Sequence, residues 1–183
     1  MSTTWLGSEA MGTLFLGGIY EVGKSTLGKS LPKRQGLPFF SAGDLISQVN
    51  GETYGTNKAV ADKMTNLDIL AMQIERLLEH HDQIMIAGHF CIVNKQGTVD
   101  PLPKEAFKKL HIDKIILLEA EETQIIDNPQ MRDAKTYSPE LISALMQMER
   151  KMAYDIPKEL NCPIVTYCMT YSSADISIIE QFL

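Results

Sequence analysis

The sequence predicts an α/β fold in which helices cover both faces of a parallel β-sheet. One observation is that short apolar runs alternate with longer segments whose apolar residues recur at helical spacing, as in successive βα units. The other is the pattern G-x-x-x-x-G-K-S over residues 18–25, which lies between the first apolar run and the first helical segment. We expect residues 11–183 to form one domain after a leader at residues 1–10, because a chain of 183 residues can bury a single core.

The first elements follow from local composition. Residues 12–17 are short and apolar, as expected for a strand buried on both faces. The next helix should open at Ser25 and end before Pro32, because proline cannot continue a helix. A second short strand is predicted at residues 38–42, and a helix should begin at Gly43.

The remaining elements continue the alternation. One long helix or two helices are expected over residues 58–80, where apolar residues recur at helical spacing. Three more strands are predicted at residues 84–87, 112–118 and 163–167, with helices between them and an amphipathic helix over residues 173–183. Because parallel strands end at the same edge of a sheet, the loops that follow them should form one cleft.

The segment at residues 18–25 has the chemistry of a phosphate loop. Glycines let successive backbone N–H groups turn toward an anion, and the helix that follows adds its positive N-terminal end. Lys24 should reach the β- and γ-phosphates, and Ser25 should bind Mg²⁺. The sequence therefore predicts a protein that binds ATP with Mg²⁺. The residues expected at the nucleotide are Gly18, Tyr20, Glu21, Val22, Gly23, Lys24, Ser25 and Thr26.

The composition narrows the classes of function. The net charge is −6 and the basic residues are scattered, which disfavours a nucleic-acid partner. The three cysteines form no C-x-x-C pair, so they indicate reduced thiols rather than a zinc site or disulfides. The chain has no apolar stretch of about 18 residues and no signal-peptide pattern, so we expect a cytoplasmic protein with no membrane partner.

Four segments occur in a characteristic order along the chain. They are residues 18–25, Ser41–Ile46 after the second strand, Gly88–Cys91 after the third, and Arg132–Asp133 ahead of a long helix near residues 137–154. In this order they resemble the adenylate kinase-like P-loop proteins, particularly the archaeal-type adenylate kinases and related small bacterial ATP-binding proteins. The resemblance covers residues 12–170.

The resemblance implies a P-loop NTPase three-layer sandwich with a five-stranded parallel sheet of order 2-3-1-4-5. It also implies a pocket for a phosphoryl acceptor beneath helices at about residues 43–80, and a lid at about residues 121–138. In that family the γ-phosphoryl group of ATP passes to a nucleotide phosphate. We therefore expect transfer to a small nucleotide-like acceptor, with a nucleoside monophosphate as one candidate.

The resemblance also suggests catalytic roles beyond that of Lys24. Arg132 would act from the lid, and Arg150 would present a cation to the transferred group; the alternative for each is a surface arginine. His89 either orients the nucleophile or is a packed histidine. Glu21 is either a solvated loop residue or a group that orients the attacking water or hydroxyl.

Some positions depart from the family pattern. Ala87 stands where the family usually places an aspartate near the magnesium, which leaves Asp44 and Glu119 as candidates. Asp44 could instead stabilise a helix N-terminus, and Glu119 could be structural. Ser47 replaces an arginine of the adenylate kinases. A second hypothesis is therefore a slow ATPase or a nucleotide-sensing switch that acts on a protein partner.

Overall fold

A computed structural model describes residues 12–31, 36–50, 63–126 and 137–183. The leader at residues 1–10, Arg132 and the larger part of the expected lid, residues 127–136, lie outside these ranges. The elements are β1 Gly12–Gly17, α1 Lys24–Ser30, β2 Phe39–Ser41, α2 Ala42–Asn50, α3 Lys63–Leu78, β3 Gln83–Ala87, β4 Cys91–Val93, β5 Val99–Pro101, α4 Lys104–Phe107, β6 Ile112–Glu119, α5 Glu122–Ile126, α6 Pro139–Leu160, β7 Ile164–Cys168 and α7 Ala174–Ile179, followed by a 3₁₀ turn, Glu180–Phe182.

The central sheet has five parallel strands in the order β2-β3-β1-β6-β7. Strands β4 and β5 pair with each other in a separate antiparallel hairpin. When the hairpin strands are not counted, the order of the five sheet strands is 2-3-1-4-5, as the resemblance implies. The α/β fold class is therefore confirmed.

The alternation of side chains along β1 produces the layers. All six residues of β1 are buried, because the strand is in the middle of the sheet. Phe15 belongs to one apolar cluster, with Ile74 of α3 and Met152 of α6. Leu14 and Leu16 point the other way and belong to a second cluster, which includes Leu27 of α1 and Ile179 of α7. Helices thus cover both faces of the sheet.

The hairpin corrects one expectation. A helix was expected to connect residues 84–87 with residues 112–118, but the chain first forms β4 and β5 and then only the short helix α4. The reason is a compact turn in which the Asn94 side chain accepts hydrogen bonds from the backbone N–H groups of Gln96 and Thr98, and Gly97 adopts a φ of 76°. This turn brings the two short strands together.

Helix α6 is the long helix that was expected near residues 137–154, but it continues to Leu160. Its first turn is capped by the Ser138 side chain, which accepts a hydrogen bond from the N–H of Leu141. Its last turn ends at Asn161, whose backbone is left-handed. In the described parts of the chain, every helix is too short or too polar to cross a membrane.

Candidate functional site

A cavity of about 350 Å³ lies at the carboxyl ends of β1, β2 and β3, which is a size typical of small-molecule sites. Its lining is of two kinds. The polar side chains come from the phosphate loop and the start of α1, from the end of β2, from α2 and α3, and from the loop after β3: Tyr20, Glu21, Lys24, Ser25, Thr26, Ser41, Asp44, Asn66 and His89. The second kind, here called the apolar wall, consists of residues of one core cluster: Phe15, Ile46, Leu67, Leu70, Leu102, Phe107 and Leu110.

The ammonium of Lys24 lies against the phosphate loop itself. It donates hydrogen bonds to the carbonyl oxygens of Gly18 and Ile19, both at 2.6 Å, and the residue is only 8% exposed. Gly23 precedes α1 with a φ of 105°, which glycine adopts readily, so that the loop can turn tightly into the helix. The loop therefore holds one positive charge at the cavity, beside the N-terminal end of α1.

Ser25, Asp44 and Glu21 lie at the polar side of this cavity. Ser25 and Asp44 are exposed, and Glu21 has a left-handed backbone with a φ of 58°. A hydroxyl and a carboxylate that line one cavity fit Mg²⁺, which takes few protein ligands and keeps waters and phosphate oxygens around it. No group of three or more His, Cys, Asp or Glu residues forms a metal site among the residues that the structure describes.

His89 lies beside the aromatic ring of Tyr20. The centres of these two rings are 4.3 Å apart. The Tyr20 ring also stacks on the Tyr137 ring, with ring centres 5.9 Å apart. Burial raises the pKa of Tyr20, so its hydroxyl stays protonated. This stack joins the phosphate loop, the loop after β3 and the start of α6 at one side of the cavity.

Sequence reasoning missed Glu149, a buried carboxylate behind the phosphate loop. The residue is 2% exposed. One carboxylate oxygen accepts a hydrogen bond from the N–H of Gly18 at 3.0 Å, and the other accepts from the N–H groups of Phe90 at 2.9 Å and Cys91 at 3.0 Å. The signal was its place in α6, within an apolar stripe at helical spacing with Leu145 and Met152.

Burial shifts the ionisation of the groups around Glu149. Burial raises the pKa of its carboxyl, while the nearby Lys24 ammonium and the hydrogen bonds from Cys91 and Phe90 oppose that rise. Burial also raises the pKa of the Cys91 thiol, and the adjacent Glu149 carboxylate raises it further. Cys91 therefore stays a thiol, whose sulfur lies 3.2 Å from a Glu149 oxygen.

The structure does not bring three of the predicted site residues to the cavity. Arg150 is 63% exposed, and its Nε and Nη2 atoms each donate to Glu119 at 2.6 Å, away from the cavity. Val22 is fully buried in the core. Gly18 donates its N–H to Glu149 and is not among the residues that line the cavity. The role of Arg132 stays a prediction.

The loop after β7 approaches the phosphate loop from a further direction. A Cβ atom placed on Gly23 would lie 3.2 Å from the methyl carbon of Met169 and 4.0 Å from the ring of Tyr171. The buried carboxylate of Asp175 fixes this loop, because it accepts hydrogen bonds from the Tyr167 hydroxyl at 2.8 Å and from the Thr170 hydroxyl at 2.6 Å. The loop therefore has a defined position beside the nucleotide site.

The carboxylate of Asp175 should make the free energy of unfolding depend on pH in the acidic range. Burial acts to raise its pKa, but the hydrogen bonds from Thr170 and Tyr167 outweigh burial, so the pKa lies below its usual value. Its contribution to stability is then present above the unfolded-state pKa of about 3.9 and is lost as the pH falls through the lower folded-state pKa. Asp175→Asn should reduce the free energy of unfolding by about 1 kcal/mol at pH 7 and by less in acid. Urea unfolding at several pH values measures this.

Asp68→Asn is the control for that experiment. Asp68 forms an exposed ion pair with Lys109 at 2.7 Å, and exposed pairs contribute little. Its replacement should cost less than about 1 kcal/mol at pH 7. If Asp175→Asn has the same stability as the native protein at every pH, the carboxylate does not anchor the loop.

The sheet order and the phosphate loop define a P-loop protein of the kinase-like fold. A family described as an AAA domain matches residues 18–143, and the chain belongs to that family. No curated protein matches the sequence.

Solved structures of several kinases share the fold. A putative kinase from Chloroflexus aurantiacus J-10-fl is 15% identical with a TM-score of 0.62, over 94% of this chain and 96% of that one. A shikimate kinase from Acinetobacter baumannii in complex with shikimate is 16% identical with a TM-score of 0.57, over 95% and 92%. A gluconokinase from Sinorhizobium meliloti 1021 is 13% identical with a TM-score of 0.56, over 93% and 90%. The resemblance to P-loop kinases is thus supported at the level of the fold, without singling out adenylate kinases.

Proposed function

We propose that this protein is an ATP-dependent phosphotransferase that transfers the γ-phosphoryl group of ATP to a small-molecule acceptor. The observation that carries the proposal is that the phosphate loop and the apolar wall line the same cavity. Lys24 and Ser25 suit a nucleotide triphosphate, whereas the apolar wall offers room for a second compound beside it. The names of the structurally similar proteins, which include a shikimate kinase and a gluconokinase, agree with small acceptors.

The proposed chemistry relies mainly on positioning and charge. Lys24 would leave the carbonyl oxygens of Gly18 and Ile19 and turn to the phosphates, where it offsets the charge that develops during transfer. Ser25 and Asp44 would hold Mg²⁺, which neutralises phosphate charge when it is bound. His89 or Glu21 would orient the acceptor group and take its proton.

The lining of the cavity also indicates which acceptors would fit. The apolar wall suits a ring or another apolar face. Its Phe15 and Phe107 rings pack with each other and with the buried Phe90 ring behind them, with ring centres 5.0 to 5.9 Å apart. A nucleoside monophosphate offers such a face in its base. Among the described residues that line the cavity, Lys24 is the only cation, so an acceptor phosphate would call on residues such as Arg132.

A slow ATPase or a nucleotide-sensing switch is the second candidate. Two observations favour it: Ala87 lines the cavity at the end of β3 without a carboxylate, and Arg150 is engaged with Glu119. A protein that binds ATP but stabilises the transferred group weakly would turn over slowly. In that case the apolar wall would contact a segment of a protein partner.

Product analysis separates the two candidates. The purified protein is incubated with MgATP alone, with each common nucleoside monophosphate, and with hydroxylated acids such as shikimate and gluconate. Separation of ADP, inorganic phosphate and phosphorylated acceptor then identifies the reaction. We expect a phosphorylated product that requires one acceptor class. Slow release of phosphate with no acceptor product would instead support the switch.

A further inference from the structure

The carboxylate of Glu149 connects two loops that come from different strands. Gly18 lies directly after β1 at the start of the phosphate loop. Phe90 follows His89 at the end of the loop after β3, and Cys91 is the first residue of β4. Glu149 itself belongs to α6, far from both in sequence. One side chain therefore holds the two loops that carry Lys24 and His89.

The bonding pattern requires a carboxylate at this position. All partners of the two oxygens are donors: three backbone N–H groups and the Cys91 thiol. An ionised carboxylate is an acceptor at both oxygens, so it satisfies donors on both sides at once. A glutamine of the same shape has one acceptor oxygen and an NH₂ group, which would face N–H donors of one loop.

The Gly18 peptide extends this connection to Lys24. Its N–H donates to Glu149, and its carbonyl oxygen accepts a hydrogen bond from the Lys24 ammonium. A displacement of the first glycine of the phosphate loop would therefore displace the partner of Lys24. On the other side, Phe90 is the residue next to His89, so the N–H bond of Phe90 limits where His89 can lie.

We propose that Glu149 is a positioning residue that keeps the phosphate loop and the loop after β3 at a fixed separation, so that Lys24 and His89 face the same cavity. This inference rests on the proposed phosphotransferase function. Reacting groups must be aligned closely, and a misplacement of about 1 Å can cost on the order of 10²-fold in rate. Glu149 acts through the loops without itself contacting the reactants.

The test compares Glu149→Gln with Met152→Ala and Cys91→Ala. Glu149→Gln preserves the shape of the side chain, but its one acceptor oxygen can accept hydrogen bonds from only one of the two loops. Met152 is a buried residue of the same helix outside the cavity, so Met152→Ala is the control for a loss of stability alone. Cys91→Ala removes the thiol but keeps the backbone donor.

We expect Glu149→Gln to lower kcat by about 10- to 100-fold, while KM for MgATP changes only a few-fold. Met152→Ala should lower Tm with kcat close to the native value, and Cys91→Ala should affect kcat far less than Glu149→Gln. If Glu149→Gln lowers Tm but retains the native kcat, Glu149 is only a core residue and the inference is wrong.

Amide hydrogen exchange tests the inference even if the protein transfers no phosphoryl group or a variant fails to fold. In the native protein the amides of Gly18, Phe90 and Cys91 should be protected, and all three should exchange faster in Glu149→Gln than in Met152→Ala. Rapid exchange of the Gly18 amide in the native protein would overturn the inference. Protected amides together with an absence of acceptor product would contradict only the proposed function.

Discussion

Lys24→Ala is expected to lower the rate of phosphoryl transfer by at least about 10²- to 10³-fold and to weaken MgATP binding. Lys24 supplies the only positive side chain among the described residues that line the cavity, so no described neighbour can take its place. Loss of its ammonium also leaves the carbonyl oxygens of Gly18 and Ile19 without this donor. The free energy of unfolding should therefore fall by about 1–3 kcal/mol. Steady-state kinetics, isothermal titration calorimetry with MgATP and thermal unfolding measure the three effects.

Lys29→Ala is the matched control. Lys29 is an exposed lysine in the last turn of the same helix and does not line the cavity. Its replacement should leave transfer, MgATP affinity and Tm nearly unchanged. If Lys24→Ala binds MgATP as tightly as Lys29→Ala does, residues 18–25 do not form the nucleotide site.

Gly18→Ala is expected to disrupt the phosphate loop. Gly18 has a φ of 143°, which side chains rarely permit, and an added Cβ would lie 2.6 Å from the carbonyl oxygen of Leu118. The Leu118 carbonyl belongs to the backbone of the neighbouring strand β6 and cannot move aside easily. The phosphate loop itself must therefore shift. We expect a loss of at least about 1–3 kcal/mol in the free energy of unfolding and at least tenfold weaker MgATP binding. Chemical denaturation and calorimetry would check both.

Gly97→Ala separates backbone strain from the steric contact. Gly97 also has a positive φ, of 76°, but an added Cβ would have nothing within 4 Å, and the residue lies in the β4–β5 turn. This variant should lose only about 1 kcal/mol and should bind MgATP normally. Equal effects of Gly18→Ala and Gly97→Ala would mean that the contact with Leu118 has no consequence for the loop.

Local patterns were sufficient to predict the five sheet strands and the phosphate loop. A buried parallel strand has a continuous apolar run, and residues 18–25 have a spacing that the chemistry itself requires. The hairpin β4–β5 was missed because β5 contains an aspartate and a proline and has no apolar run, so its sequence does not indicate a strand that could pair with the three residues of β4. The side-chain hydrogen bonds of Asn94 that close its turn can be recognised only once the turn is seen.

The site was predicted less completely because it depends on contacts between distant segments. Arg150 and Glu149 are neighbours in sequence, but successive residues of an α-helix point about 100° apart. Arg150 consequently turns outward to Glu119, while Glu149 turns inward to the phosphate loop. The signal for Glu149 was a charged residue within an apolar stripe. The resemblance instead suggested a role for its neighbour, Arg150.

Glu149 accepts its hydrogen bonds from backbone N–H groups, which affects how these positions can vary during the evolution of the family. Every non-proline residue carries the same N–H group, so substitutions at positions 90 and 91 can preserve these bonds as long as the backbone path is kept. Position 149, in contrast, requires an acceptor at both oxygens. In an alignment of homologues we expect an acidic residue to be retained at position 149, while the residue types at positions 90 and 91 vary. Methods that infer contacts from correlated substitutions should fail to detect this connection, although it joins three separate parts of the chain.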